Sequence, residues 1–152
     1  MLNKGRNVVV TNPNGSVTST AAELKTHANS HVVGWGYSYH SELIPPNGLV
    51  NAIQALAVSG DYSVVLKADG STYWWGGSNN NNGTGPTGVV KIVNSLGGVA
   101  GLKPDGTVVN VFTAGSIPGG LTDVVKLGSS SLALKGDGTV VDWGGVTVPG
   151  WL

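Results

Sequence analysis

The chain has 152 residues, a formal net charge of zero and no cysteine, and only 11% of it is charged, against about 25% in an average domain. Scattered Lys and Arg with no net charge exclude a basic phosphate-binding face, no apolar run approaches the ~18 residues of a membrane span, and without Cys there is no disulfide or thiolate chemistry; neither nucleic acid nor membrane is expected as a partner. Gly supplies 25 residues, about twice its usual share of roughly 7%, and helix formers such as Glu and Lys are scarce, a composition of short strands and tight turns.

In chain order, Met1 to Arg6 lacks the apolar core expected of a secretory leader. Asn7 to Thr18 carries Val8-Val9-Val10, then Asn14-Gly15, then Ser16-Val17-Thr18, and reads as a hairpin turned at Asn14-Gly15. Residues 1–28 are expected to form an N-terminal hairpin and connector, and residues 29–152 a single repeat-built domain.

The repeat shows most clearly as Leu66-Lys67-Ala68-Asp69-Gly70-Ser71, Leu102-Lys103-Pro104-Asp105-Gly106-Thr107 and Leu134-Lys135-Gly136-Asp137-Gly138-Thr139. Asp-Gly between apolar runs predicts a tight hairpin with a type I′ turn, whose two central residues both need positive φ. Strands follow at Thr72 to Trp75, Val108 to Val111 and Val140 to Trp143. Six residues beyond the turn Asp stand Trp75-Gly76 and Trp143-Gly144, with Val111-Phe112 in the middle copy. The same offset from Trp35-Gly36 implies a turn at Asn29-Ser30 and makes His31 to Gly36 a fourth, degenerate copy. The turns fall at 29, 69, 105 and 137, spaced by 40, 36 and 32 residues.

Two further motifs recur in register. An apolar strand precedes the turn at Gly48 to Ala55, Gly85 to Ile92 and Gly120 to Leu127. A Pro-Gly-Leu element comes before it at Ile44 to Leu49 and Ile117 to Leu121, and returns at Val148 to Leu152. The unit holds three to four short strands in about 36 residues, the size of a β-propeller blade. These motifs resemble the repeats of the regulator of chromosome condensation family in its divergent bacterial and phage form, over roughly residues 29–152. The resemblance implies an all-β fold: a β-propeller, or partial propeller, of about four units of 32–40 residues, where full-length members carry seven blades. It does not extend to the founder's nucleotide-exchange or nucleosome-binding activities, since no segment matches the loops responsible.

Candidate chemistry is thin. Asp69, Asp105 and Asp137 are explained by turn geometry, and Asp123 occupies the repeat position of Asn51 and Gly88. Glu23 and Glu42 are the remaining choice for a carboxylate pair, with nothing to single them out. His27 and His31 have the spacing of a zinc half-site on a helix, but His31 opens a strand, so no metal and no cofactor are expected. No nucleophile elbow is present, and no helix pattern follows the Gly-x-Gly runs at 34–36 and 136–138 to make a phosphate loop. Asn79 to Gly85 reads as a polar loop between units.

The aromatics form the candidate binding set: Trp35, Tyr37, Tyr39, Trp75 and Trp143, clustered at the Trp-Gly element and its following loop. They are read either as packing between units or as a ring of sugar-stacking faces. The pattern points to a non-enzymatic structural or assembly protein, a virion component such as a phage decoration, tail or fibre-associated protein. Its expected partners are further copies of itself or other virion proteins. The alternative is a carbohydrate-binding lectin using the Trp-Gly loops, outside the cell or in the cytoplasm.

Overall fold

The computed structural model describes residues 9–12, 15–18, 31–58 and 61–145. All regular structure among them is β, and none of it is a helix long and apolar enough to cross a membrane. β1 (Val9–Asn12) and β2 (Gly15–Thr18) pair antiparallel as the expected N-terminal hairpin. Gly15 is paired with Asn12 inside that ladder, so it is a strand residue and not the turn residue the sequence suggested; Asn14 lies outside the described residues.

Three antiparallel meanders follow, one for each Asp-Gly repeat. The first contains β3 (Ala52–Val58), β4 (Tyr62–Lys67), β5 (Thr72–Gly76) and β6 (Asn81–Thr84). The second contains β7 (Lys91–Ser95), β8 (Gly98–Leu102) and β9 (Val108–Phe112). The third contains β10 (Val124–Gly128), β11 (Leu132–Lys135) and β12 (Val140–Asp142). β6 corrects the reading of residues 79–85 as a loop. Its residues pair with β5, and Tyr73 donates its hydroxyl to Asn82 Oδ1 at 2.8 Å. A polar edge strand buries neither face, so it carries no hydrophobic alternation to betray it.

The fourth copy is also corrected: His31 to Gly36 forms no sheet of its own. Among the described residues its β-bridge is an isolated one, from His31 to Val50. Gly34, Gly36 and the Ser- and Pro-containing stretch to Pro46 interrupt the apolar run that the other copies carry. The turn inferred at Asn29-Ser30 and the closing motif at 148–152 lie outside the described residues.

The Asp-Gly elements close tight hairpins, but not as type I′ turns. In each, the Gly N–H donates to the Lys carbonyl three residues back (Gly70 to Lys67, 2.9 Å; Gly106 to Lys103 and Gly138 to Lys135, 3.0 Å). The same Lys donates its own N–H to the residue after the Gly. Only the Gly has positive φ, at 80°, 80° and 87°. That is a three-residue loop, a type I turn followed by a left-handed Gly. Asp takes the ordinary turn conformation, and its carboxylate accepts the backbone N–H two residues on, from Ser71, Thr107 and Thr139, each at 2.9 Å. This Asx turn is what selects Asp.

A second backbone position repeats. Asn51 (φ 62°), Gly88 (71°) and Asp123 (60°) all adopt the left-handed conformation just before the first strand of their sheets. Asn, Gly and Asp are the residues that tolerate it, so Asp123 is accounted for by backbone geometry.

The apolar core lies between the sheets. Val64 and Leu66 of the first sheet pack with Val89, Ile92, Val99 and Val111 of the second unit. Ala100, Leu102 and Val108 of the second sheet pack with Leu121, Val124, Leu127 and Ala133 of the third unit. The second sheet is covered on both faces, and every residue of β8 is buried. Backbone hydrogen bonds bind successive units: Val89 N–H donates to Gly70 O at 3.0 Å, and Val124 N–H to Gly106 O at 3.1 Å. Gly70 and Gly106 each thereby receive the segment that opens the next unit.

Candidate functional site

The structure divides the five aromatic candidates into two groups. Trp75 and Trp143 are used inside the stack. Trp75 is cross-strand partner to Ser63 on β4, and its indole N–H donates to the Glu42 carbonyl at 2.9 Å, where Ser63 Oγ also donates at 2.8 Å. Trp143 faces Ser131, which occupies the same repeat position as Ser63. The Trp143 indole N–H donates to Ser95 Oγ at 3.2 Å, and Ser131 Oγ lies 2.8 Å from the same hydroxyl. Each Ser–Trp pair thus grips one oxygen of the segment before it. The second unit has Val99 and Val111 at these two positions, both buried in the apolar core. Ser goes with Trp and Val goes with Val because an indole N–H and a hydroxyl desolvated together need an acceptor, and two valines need none.

Trp35, Tyr37 and Tyr39 form the other group. They stand open to solvent, with 85%, 84% and 68% of their surfaces exposed. The Tyr37 and Tyr39 rings are stacked with centroids 6.4 Å apart, and Tyr39 meets the His40 ring edge-on at 4.4 Å. Glu42 fixes the loop that carries them, its carboxylate accepting the backbone N–H of Tyr39 at 2.9 Å and of His40 at 2.7 Å. Those backbone donors, Tyr39 first, hold the Glu42 carboxyl below its usual pKa. His40 Nδ1 lies 2.7 Å from Asp61 Oδ2 and ties the loop to the start of β4. None of Glu42, His40 and Asp61 was singled out with the aromatics from sequence. The His40–Asp61 pairing spans 21 residues and leaves no local pattern to read.

Between this loop and the outer face of the first sheet lies a cavity of about 220 Å³, walled by Trp35, Leu43, Pro45, Ala55, Ala57 and Trp75. It is mostly apolar, with Glu42 and Ser63 as its polar contributors. Among the described residues no group of three or more His, Asp or Glu is placed to hold a metal ion; His27 and Glu23 lie outside them. No family model, no curated protein and no solved structure matches the chain.

Proposed function

We propose that the chain is a non-enzymatic structural protein that acts by assembly, a phage virion component built on a partial β-propeller of the regulator of chromosome condensation type. The observation that carries this reading is one interface made twice among the described residues, with the third equivalent leucine part-exposed. Leu66, Leu102 and Leu134 hold the same repeat position; the first two are 0% and 8% exposed against the following unit, and Leu134 is 37% exposed. A stack of this kind binds each unit through its neighbours, and a part-exposed apolar face is a ready docking surface. The low charge and the Gly-, Asn- and Ser-rich strand pattern favour a particle protein. Mass spectrometry of purified particles tests the assignment: peptides of this chain at a fixed ratio to the capsid protein support it, and their absence from intact particles removes it.

A second reading rests on the exposed aromatics. Trp35, Tyr37 and Tyr39 offer flat amphipathic faces on a loop pinned by Glu42, the arrangement a carbohydrate-binding module uses to stack sugars. A glycan array tests this reading, with Trp35→Ala expected to abolish any specific signal; a blank array for the intact protein removes it.

A further inference from the structure

We propose that the cavity beside the first sheet is a binding site for a small uncharged aromatic molecule, one ring or two fused rings seated on Ala55 and Ala57 against Trp75. The site goes beyond both readings above, since it depends neither on assembly nor on sugar stacking. Comparison of the first unit with the two that follow it points to the site.

Strand register fixes which residues correspond. Ala55 pairs with Val65, Ile92 with Gly101 and Leu127 with Ala133, each one step from the equivalent Leu66, Leu102 and Leu134. Ile92 and Leu127 are 0% and 2% exposed. They fill the joint with the preceding sheet, Ile92 in one apolar core with Leu66 and Leu127 in one with Leu102. The first unit carries Ala at this position, a side chain that stops at the methyl. Its face meets the loop of residues 32–45 instead of a sheet, and a cavity of about 220 Å³ remains between them. The rest of the interface is kept. Trp75 and Ser63 hold Glu42 O as Trp143 and Ser131 hold Ser95 Oγ. The unit thus departs from the repeat by truncation where the pocket lies, while the residues beside it still follow the pattern.

The wall opposite the sheet is held off Ala55 and Ala57, so the space stays open. Gly34 lies so close to Leu43 that a Cβ there would collide with the Leu43 backbone, which sets the two halves of the loop into one layer. That layer is fastened to the sheet at Glu42 O by Trp75 and Ser63, and to the start of β4 by His40 and Asp61. The same bonds decide what the pocket accepts. Its polar side-chain groups are already engaged: Ser63 Oγ and the Trp75 indole N–H donate to Glu42 O, and the Glu42 carboxylate accepts the backbone N–H of Tyr39 and His40. The remaining wall is Leu43, Pro45, Ala55, Ala57 and the rings of Trp35 and Trp75. A charged or richly hydroxylated ligand would lose water there without gaining partners. An aromatic ring would gain apolar burial and ring contacts. An apolar cavity of about 150 Å³ suffices for benzene, so the space here admits one ring or two fused rings.

Alanine-methyl NMR on the full chain, titrated with indole, tests the site. The Ala55 and Ala57 methyl resonances are expected to shift saturably, while those of Ala100 and Ala133, buried at the joint of the second and third units, stay in place. Benzoate, a ring of similar size that carries a charge, is expected to bind at least about tenfold more weakly. Ala55→Leu supplies the side chain that the third unit carries as Leu127 and fills the cavity. It is expected to abolish the indole shift at Ala57 while holding or raising Tm, because filling a cavity stabilises. Should Ala55→Leu lose its fold, Ala57→Val on the same wall replaces it, with an expected loss of at least about tenfold in indole affinity. Methyls of Ala55 and Ala57 that stay still up to the solubility limit of indole overturn the proposal. So does a folded variant that binds indole as tightly as the wild type, or a shift spread equally over all four alanines. Benzoate binding as tight as that of indole overturns the assignment to an uncharged ligand.

Discussion

Truncating the three equivalent leucines to Ala, one at a time, measures how each face of the stack is covered. Leu66 is fully buried among Val64, Val89, Ile92, Val99 and Val111. Its removal takes away transfer free energy and leaves a cavity between two sheets that cannot close without shifting a whole unit. Leu→Ala at such sites costs about 2–5 kcal/mol, and the complete burial here puts Leu66 at about 3–4 kcal/mol. Leu102, 8% exposed, falls just below it. Leu134 has 37% of its surface in water and no following sheet among the described residues, so in the monomer its truncation costs roughly 1 kcal/mol. For a chain of this length each kcal/mol moves the melting temperature by about 2–4 °C, giving shifts of about 6–16 °C for Leu66→Ala and about 2–4 °C for Leu134→Ala. Urea denaturation followed by tryptophan fluorescence, at concentrations too low for self-association, reads the three values with a common slope. Equal losses at Leu66 and Leu134 would refute the assignment of one closed and one open interface.

The turn carboxylates make stability depend on acid. Side-chain and backbone donation from Ser71 lowers the pKa of Asp69 below 3.8, and backbone donation from Thr107 and Thr139 does the same for Asp105 and Asp137. A depressed folded-state pKa gives stability that is present above the unfolded value and lost as pH falls through the folded one. The melting temperature is thus expected to drop below about pH 4, and a triple Asp→Asn variant, which keeps the Asx acceptor, to flatten that drop in a pH series of thermal melts. At the left-handed position, Asp123→Gly or Asp123→Asn is expected to be tolerated and Asp123→Val to cost roughly 1–2 kcal/mol by denaturant titration. Across the second interface, Trp143→Phe and Ser131→Ala each leave a buried partner short of a hydrogen bond at a cost of about 1 kcal/mol. A double-mutant cycle should show them coupled by at least about 0.5 kcal/mol, and simple additivity would separate the two residues.

The repeat was legible because its residues are constrained by backbone geometry. Asp and Gly at the turn, Asn, Gly or Asp before the first strand, and Leu before the Lys each answer a local demand that recurs in every unit. The hairpins could be placed for that reason. Their turn type could not, because Asp-Gly serves a type I′ turn and a type I turn with a left-handed Gly equally well, and the extra ladder bond from Lys67 to Ser71 decides between them. β6 escaped notice because an exposed polar strand has no periodic signature. The fourth copy was inferred from Trp35 alone, and a single Trp-Gly does not supply the paired apolar strands a sheet requires. The site divided in a way the sequence does not show: Trp75 and Trp143 look the same as Trp35 by offset, and only the acceptors Glu42 O and Ser95 Oγ, far away in the chain, draw the first two inward.

Backbone hydrogen bonds join one unit to the next. The Val89 and Val124 N–H groups bond to Gly70 O and Gly106 O of the preceding unit. Native-state amide hydrogen exchange read residue by residue is expected to find both slowed by at least about a hundredfold relative to unprotected amides, opening together with the sheets on either side. Exchange of Val89 and Val124 at the rate of free loop amides, beside protected strands, would show that the units are separate hairpins and that the interface does not exist.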